Sequence, residues 1–321
     1  MYWIDNHCDV LYQMWKRGRD DNFSESKRKQ KNLFLMDDSP FDASYAALKH
    51  SNALLQNFAI FVPDHIPQTG KLGVTLKQID LFYQNIEPYV CLFQNRNNNE
   101  LGTEKIYSVL SLEGADALGN DLSILRLLYR LGVRQVGLTW NYANALADGC
   151  KEKRNGGLTN FGRECVKEMV RLGMIVDVSH LSERGFWDVV SIPNILVMAS
   201  HSNCLKYCNH PRNLTDDQIR AIISLDGLIG ITYVPQFVVK SYQSATPNHL
   251  LPHIEHIQYL GGENHIAFGS DFDGMVNKLT GLSSAMDIPA FYKTLMSYFP
   301  SNLVNKWSYL NAYYFYKNSI R

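Results

Sequence analysis

Short apolar runs separated by polar stretches recur along the whole chain. Eight of these runs have the composition of β-strands: YWIDNHCD (2–9), NFAIFV (57–62), IYSVLSLEG (106–114), QVGLTW (135–140), MIVDVSH (174–180), ILVMASH (195–201), LIGITYV (228–234) and HIAFGSD (265–271). Several are nearly continuous rather than alternating, which is typical of parallel strands covered on both faces. The pattern therefore predicts a parallel sheet.

Between these runs, apolar residues recur at the spacing of an α-helix. Residues 121–133 and 160–174 carry apolar side chains at three-to-four-residue spacing and stop near a glycine, and TDDQ (215–218) reads as a capping box. Alternating strands and helices favour right-handed βα repeats, and eight such repeats close a barrel. We predict an α/β fold, a (β/α)8 TIM-type barrel, with an aromatic-rich C-terminal extension over residues 287–321 that packs on it.

Composition narrows the choice of partners. The 321 residues are 45% hydrophobic, and no linker divides them, so we expect a single domain over 1–321. Lys+Arg and Asp+Glu both number 31, which argues against nucleic acid or a charged membrane surface as a partner and favours a small molecule. The chain shows neither a signal-peptide pattern nor a membrane-length apolar run, so we expect a cytoplasmic protein with reduced cysteines.

Chemistry-bearing residues lie at the ends of the predicted strands, where the active sites of βα barrels form. His7 and Asp9 are two residues apart, so both lie on one face of the first strand. By itself this HxD motif fits either a metal platform or a hydrogen-bonded structural pair. Four other strand ends also carry a histidine or a carboxylate: Glu113, His180, His201 and Asp271. Imidazoles and carboxylates without thiolates suit zinc or a similar divalent ion in a catalytic site.

With these motifs in order from DNHCD to GSDFDG, the chain resembles the membrane dipeptidase (renal dipeptidase) family, peptidase family M19, in its soluble bacterial form. The resemblance implies an amidohydrolase-like barrel with two zinc ions, other divalent metals remaining an alternative. It also implies hydrolysis of dipeptides, often with a D-residue at the C-terminal position. Members of the family often form homodimers, which is the one ground for expecting a dimer here.

The resemblance assigns a ligand set residue by residue. His7 and Asp9 would bind the first zinc ion, and Glu113 would bridge both ions. His180 and His201 would bind the second ion. The implied reaction is amide hydrolysis by a hydroxide shared between the two metals.

The same resemblance assigns residues to the substrate. Arg212, in HPRNLTDD, would hold the C-terminal carboxylate, and Asp271 would handle the proton. Asp273 is the fallback for that role, although its position favours ordering the loop. Trp140 stands where better-known members carry a histidine that contacts the scissile carbonyl. Because indole does not change charge near neutral pH, we expect Trp140 to line the substrate site and alter specificity.

Two other functions are compatible with the motifs. Another amidohydrolase-type hydrolase, acting on a lactone or ester, is disfavoured because many of those enzymes open with HxH and bridge their metals with a lysine. The second alternative, a catalytically inactive metal-binding homologue, is suggested by Trp140 in place of the histidine.

His253 and His256 are three residues apart on a predicted helix, and we expect them to lie on its solvated face.

Overall fold

Eight parallel strands close into a barrel in the computed structural model, which describes residues 1–20, 32–93, 102 and 104–320. The strands are β1 (Trp3–Cys8), β2 (Ala53–Phe61), β3 (Cys91–Leu92), β4 (Tyr107–Glu113), β5 (Val133–Gly137), β6 (Ile175–Asp177), β7 (Val197–Ala199), β8 (Leu228–Ile231) and β9 (Ile266–Phe268). β2 pairs directly with β4, and β9 pairs with β1 to close the ring. The two-residue β3 pairs with the start of β4 and lies outside the ring. The predicted (β/α)8 barrel is confirmed.

Helices follow the strands and surround the barrel. They are α1 (Val10–Asp20), α2 (Tyr45–His50), α3 (Gln68–Asn85), α4 (Leu122–Arg130), α5 (Asn160–Leu172), α6 (Glu183–Val190), α7 (Asp216–Ser224), α8 (Pro235–Val238), α9 (Leu251–Tyr259), α10 (Ile288–Tyr298), α11 (Ser301–Asn305) and α12 (Asn311–Ser319), with a π-helical turn at Lys306–Leu310. Among the described residues, no helix is both long enough and apolar enough to cross a bilayer.

Side-chain caps explain where several helices begin. Thr159 and Ser182 accept hydrogen bonds from backbone N–H groups in the first turns of α5 and α6. The predicted capping box of α7 is present, with Thr215 and Gln218 each bonded to the other's backbone. At its other end α5 stops at Gly173, whose φ of 70° lies in the left-handed region that glycine adopts without strain.

The C-terminal extension closes one end of the barrel. A small apolar cluster joins residues of the strands, such as Ile4, Val109 and Met198, to Tyr316 and Ile320 at the end of the chain. The extension therefore packs on the barrel, as predicted. A larger apolar core fills the space between the strands and the helices.

The observed strands end earlier than the apolar runs that predicted them. β6, β7 and β9 have only three residues each, so His180, His201 and Asp271 lie two or three residues beyond the strand ends rather than on them. His180 and Asp271 have positive φ values of 70° and 65°. The chain thus leaves the ladder and turns sharply where the site residues occur, which a hydrophobicity pattern does not reveal.

The structure corrects the expectation for the histidines of α9. His253 and His256 are buried rather than solvated. The His253 ring accepts a hydrogen bond from the backbone N–H of Cys204 and contacts Val238 O at 2.9 Å, and His256 Nε2 lies 2.7 Å from Asp216 Oδ1. Their partners come from other elements, which helix spacing alone does not predict. All six cysteines are free, as expected.

Candidate metal centre

Glu113 lies at the centre of a buried cluster of histidines at the carboxyl end of the barrel. Its Oε1 is 2.9 Å from His180 Nε2, 3.5 Å from His201 Nε2 and 3.8 Å from His7 Nε2. The rings of His7 and His201 stack with their centroids 3.9 Å apart. One side chain from β1 and two from the loops after β6 and β7 thus present one nitrogen each to a single carboxylate oxygen.

A second group shares His7 and adds two carboxylates. One ligand atom each from His7, Asp9 and Asp271 lies within 4.8 Å of the others, and His7 Nε2 is 3.5 Å from Asp9 Oδ2. The backbone N–H of Asp271 donates to His7 O at 3.1 Å, which fixes the loop after β9 against β1. The six residues predicted at the strand ends therefore meet in one place.

Burial and crowding set the charges of this cluster. Burial and the neighbouring Asp9 raise the pKa of Asp271 to about 8, and the same causes hold the pKa of Glu113 well above its ordinary value. Burial lowers the pKa values of His180 and His201, so both imidazoles are neutral near pH 7. A metal ion binds the neutral imidazole and the ionised carboxylate, so an ion bound here would displace the protons that crowding holds on these carboxyl groups.

Unsatisfied polar atoms also indicate a cation. Among the described residues, His7 Nε2 and Asp9 Oδ1 are buried without a hydrogen-bond partner. Buried polar atoms in folded proteins almost always have a partner, and His7 Nε2 lies only 3.5 Å from Asp9 Oδ2 and 3.8 Å from Glu113 Oε1. The donor set and its geometry therefore fit a divalent metal.

Gly274, in the FDG segment, allows the carboxylates of Asp9 and Asp271 to lie close to each other. A Cβ atom at Gly274 would collide with Asp9 Oδ2 and Asp271 Oδ1. The backbone of residue 274 therefore passes directly behind the carboxylates, and only glycine leaves them in place. Asp273 accepts hydrogen bonds from the backbone N–H groups of Asp42 and Ala43 at 3.0 and 3.1 Å, so it orders the loop, as expected.

Arg212 lies beside the cluster with its guanidinium buried. Its Nη2 donates to His201 O at 2.9 Å and its Nη1 contacts Ser202 Oγ at 3.4 Å, while its Nε has no partner among the described residues. Arg212 and His180 line one cavity of about 270 Å³, together with apolar side chains such as Phe186. A buried cation with a free donor beside a cavity is suited to binding an anionic group.

Trp140 occupies the loop after β5, at the edge of the cluster. Its ring lies 5.1 Å from that of Phe61 and 6.2 Å from that of His180, measured between centroids. The indole is partly exposed. It therefore presents an apolar surface next to a candidate metal ligand.

Sequence reasoning missed the residues that orient the histidines. Asn141 Oδ1 lies 3.1 Å from His180 Nδ1, and Ser200 Oγ lies 2.7 Å from His201 Nδ1. The Ser200 hydroxyl also contacts Asp177. The available signal was the polar residue beside each motif: the asparagine of LTWN, the serine of ASH and the aspartate of DVSH.

Comparison with known proteins agrees with this geometry. The family model described as membrane dipeptidase (peptidase family M19) matches residues 1–312. The chain is 35% identical over 237 residues to dipeptidase aclJ of Aspergillus oryzae, covering 69% of this chain and 55% of that protein. It is 33% identical over 236 residues to dipeptidase verJ of Clonostachys rogersoniana, covering 71% and 60%. The chain thus spans little more than half the length of these curated relatives.

Solved structures share the fold. A metallopeptidase from Rhodobacter sphaeroides, solved with a phosphinate mimic of the dipeptide L-Ala-D-Ala, superposes with a TM-score of 0.89 at 22% identity over 99% of both chains. Dipeptidase AC, a metallopeptidase of family M19, superposes with a TM-score of 0.88 at 23% identity, covering 100% of this chain and 99% of that one. At these identities the superpositions establish the barrel architecture. The match of the family model over nearly the whole chain confirms the resemblance seen in the motifs, and the chain belongs to the membrane dipeptidase family, peptidase family M19.

Proposed function

We propose that this protein is a zinc-dependent dipeptidase that hydrolyses the peptide bond of dipeptides, including those with a D-residue at the C-terminal position. The observation that carries the proposal is the convergence of three imidazole nitrogens within 3.8 Å of one Glu113 oxygen. Membership of the M19 family supports it, and so does the dipeptide mimic bound to the R. sphaeroides metallopeptidase.

Five side chains form the proposed ligand set for two ions. His7 and Asp9 would hold one ion, and His180 and His201 would hold the other. Glu113 would bridge the two groups, because its Oε1 lies within 3.8 Å of all three imidazole nitrogens. Divalent ions bound there would supply an acidified water as the nucleophile near neutral pH and would polarise the scissile carbonyl.

Asp271 is the residue proposed to carry the proton. Its carboxylate lies next to Asp9 and is partly exposed, so a substrate can reach it. It accepts the proton released by the attacking water and delivers it to the leaving amine. The hydrogen bond from the Asp271 N–H to His7 O holds the loop after β9 against β1 and so keeps this carboxylate beside the proposed ligands.

Arg212 is proposed to bind the substrate's C-terminal carboxylate. Its free Nε and remaining Nη protons offer a two-pronged hydrogen bond to a carboxylate. A fixed distance from this arginine to the metal ligands restricts cleavage to the bond one residue from the C-terminus. Trp140 lines the substrate site and contributes apolar contact rather than proton transfer.

Hydrolysis measured before and after metal removal tests the proposal. The substrates are L-Ala-D-Ala, L-Ala-L-Ala, the tripeptide L-Ala-L-Ala-L-Ala, and a panel of esters and lactones. We expect cleavage of the dipeptides, no cleavage of the first bond of the tripeptide or of the esters and lactones, loss of activity on chelation and recovery on adding zinc. Cleavage of esters or lactones without dipeptides would indicate another metal hydrolase, and bound metal with no cleavage of any substrate would indicate an inactive homologue. Either result would refute the dipeptidase proposal.

A further inference from the structure

A chain of buried hydrogen bonds runs behind His201, on the side away from Glu113. Ser200 Oγ lies 2.7 Å from His201 Nδ1, and the same hydroxyl donates to Asp177 Oδ2. All three side chains are at most 5% exposed. Since no solvent reaches this chain, each of its protons must have a definite place.

The contacts of Asp177 determine where the protons lie. Its Oδ1 accepts from the backbone N–H groups of Ser179 and Ser200, both at 3.0 Å. Its Oδ2 accepts from Gln135 Nε2 at 3.1 Å and from the Ser200 hydroxyl. The Ser200 hydroxyl has a single proton and donates it to Asp177 Oδ2. Ser200 Oγ must then accept from His201 Nδ1–H.

The orientation of Gln135 is fixed independently across the barrel. Gln135 Oε1 accepts from Asn57 Nδ2 at 2.8 Å, and Asn57 Oδ1 in turn accepts from the Ser111 hydroxyl at 2.7 Å. Reversing the Gln135 amide would place its Oε1 against the carboxylate of Asp177, and reversing the Asn57 amide would place Asn57 Oδ1 against Gln135 Oε1. The donors of the network therefore point toward Asp177 from both sides, from Ser111 through Asn57 and Gln135 and from His201 through Ser200.

Building on the metal centre proposed above, we propose that Asp177 and Ser200 are positioning residues that hold the His201 proton on Nδ1 and leave the Nε2 lone pair free for metal. His201 Nε2 lies 3.5 Å from Glu113 Oε1 and 3.0 Å from His180 Nε2. A histidine in the opposite tautomer would direct a proton into this space and exclude the ion. Partners of this kind behind a ligand histidine typically change metal affinity by about 10–100-fold.

Two substitutions act on the proton in different ways. Ser200→Ala removes the acceptor of His201 Nδ1–H, so the ring is expected to populate both tautomers. Asp177→Asn places an amide donor where Oδ2 accepts, which turns the Ser200 hydroxyl toward His201 Nδ1 and moves the ring proton to Nε2. Asp177→Asn is therefore expected to weaken metal binding more than Ser200→Ala does.

Histidine ring 15N NMR on the metal-free protein reads the tautomer directly. The His201 signals are assigned by their absence from the His201→Gln variant. We expect Nδ1–H in the wild type, a mixture in Ser200→Ala, Nε2–H in Asp177→Asn, and the wild-type pattern in Ser200→Thr, which keeps the hydroxyl. Ser108→Ala is the matched control, because Ser108 is equally buried but its hydroxyl has no partner among the described residues.

Zinc affinity, measured by competition with a chromogenic chelator, is the second readout. We expect a loss of about 10–100-fold for Ser200→Ala and a larger one for Asp177→Asn, with Ser108→Ala unchanged. Nε2–H in the wild-type protein would overturn the inference, as would an unchanged tautomer and affinity in Ser200→Ala. The wild-type spectrum alone shows whether the His201 proton lies on Nδ1 or Nε2, even if a variant does not fold. Failure of the dipeptidase proposal would appear in hydrolysis and leave the tautomer of the metal-free protein unchanged.

Discussion

Replacing Arg212 with alanine is expected to weaken productive binding of dipeptides by two orders of magnitude. The guanidinium carries five N–H groups, and the structure engages two of them, with His201 O and Ser202 Oγ. The remaining donors, including Nε, are available for a carboxylate. Two charge-assisted hydrogen bonds at about 1.5 kcal/mol each give about 3 kcal/mol, which lowers kcat/KM by roughly 100-fold.

Comparing a dipeptide with its C-terminal amide isolates this interaction. In the wild type the amide should be the poorer substrate by a similar factor, because it lacks the charge that Arg212 binds. In Arg212→Ala the two substrates should react almost equally. Arg212→Lys keeps the charge but not the planar fork. Its preference for the free carboxylate over the amide should therefore be intermediate between those of the wild type and Arg212→Ala. Metal content is measured in parallel, because Arg212 also contacts the backbone of His201. An Arg212→Ala protein that retains its metal and still prefers the free carboxylate would refute the assignment.

Four further outcomes are expected. His201→Ala should leave one tightly bound metal per chain instead of two, and two retained ions by elemental analysis would contradict the ligand set. In the folded protein the pKa of Asp271 is raised to about 8 and that of His7 to about 10, so both groups bind their protons more tightly than in the unfolded chain. The metal-free protein should therefore lose stability as the pH rises from about 7 to about 9. Thermal melts check this, and a melting temperature that increases over that window would contradict the described crowding. Gly274→Ala should abolish tight zinc binding in chelator competition, because the added Cβ displaces the carboxylate of Asp271. An unchanged zinc affinity would show that the loop can accommodate the Cβ and would contradict the need for glycine at this position. Trp140→His should leave metal content unchanged and shift the ratio of kcat/KM between small and bulky dipeptides by about tenfold, with an unchanged ratio arguing against a role in specificity.

The barrel could be predicted from the sequence because its strands are buried on both faces. Continuous apolar runs such as IYSVLSLEG mark such strands, and the observed β4 (Tyr107–Glu113) lies within that run. The ends of the short strands could not be predicted. The residues after β6 and β9 remain apolar or small, and the sharp turns at His180 and Asp271 depend on contacts with neighbouring loops.

The cluster of candidate ligands was predictable because parallel strands bring their carboxyl ends together. Its supporting residues were not. Asn141, Asp177 and Ser200 are ordinary polar residues in the sequence, and their roles depend on which strands lie side by side. His253 and His256 show the same limit, since their spacing is typical of a helix face but their burial depends on partners far along the chain.

Metal stoichiometry by elemental analysis of the purified protein tests the central claim most directly. The account predicts two zinc ions per chain, removed together with dipeptide cleavage by a strong chelator and restored together with it. A protein that binds no divalent metal, or that cleaves dipeptides equally well after complete metal removal, would contradict the assignment of His7, Asp9, Glu113, His180 and His201 as metal ligands.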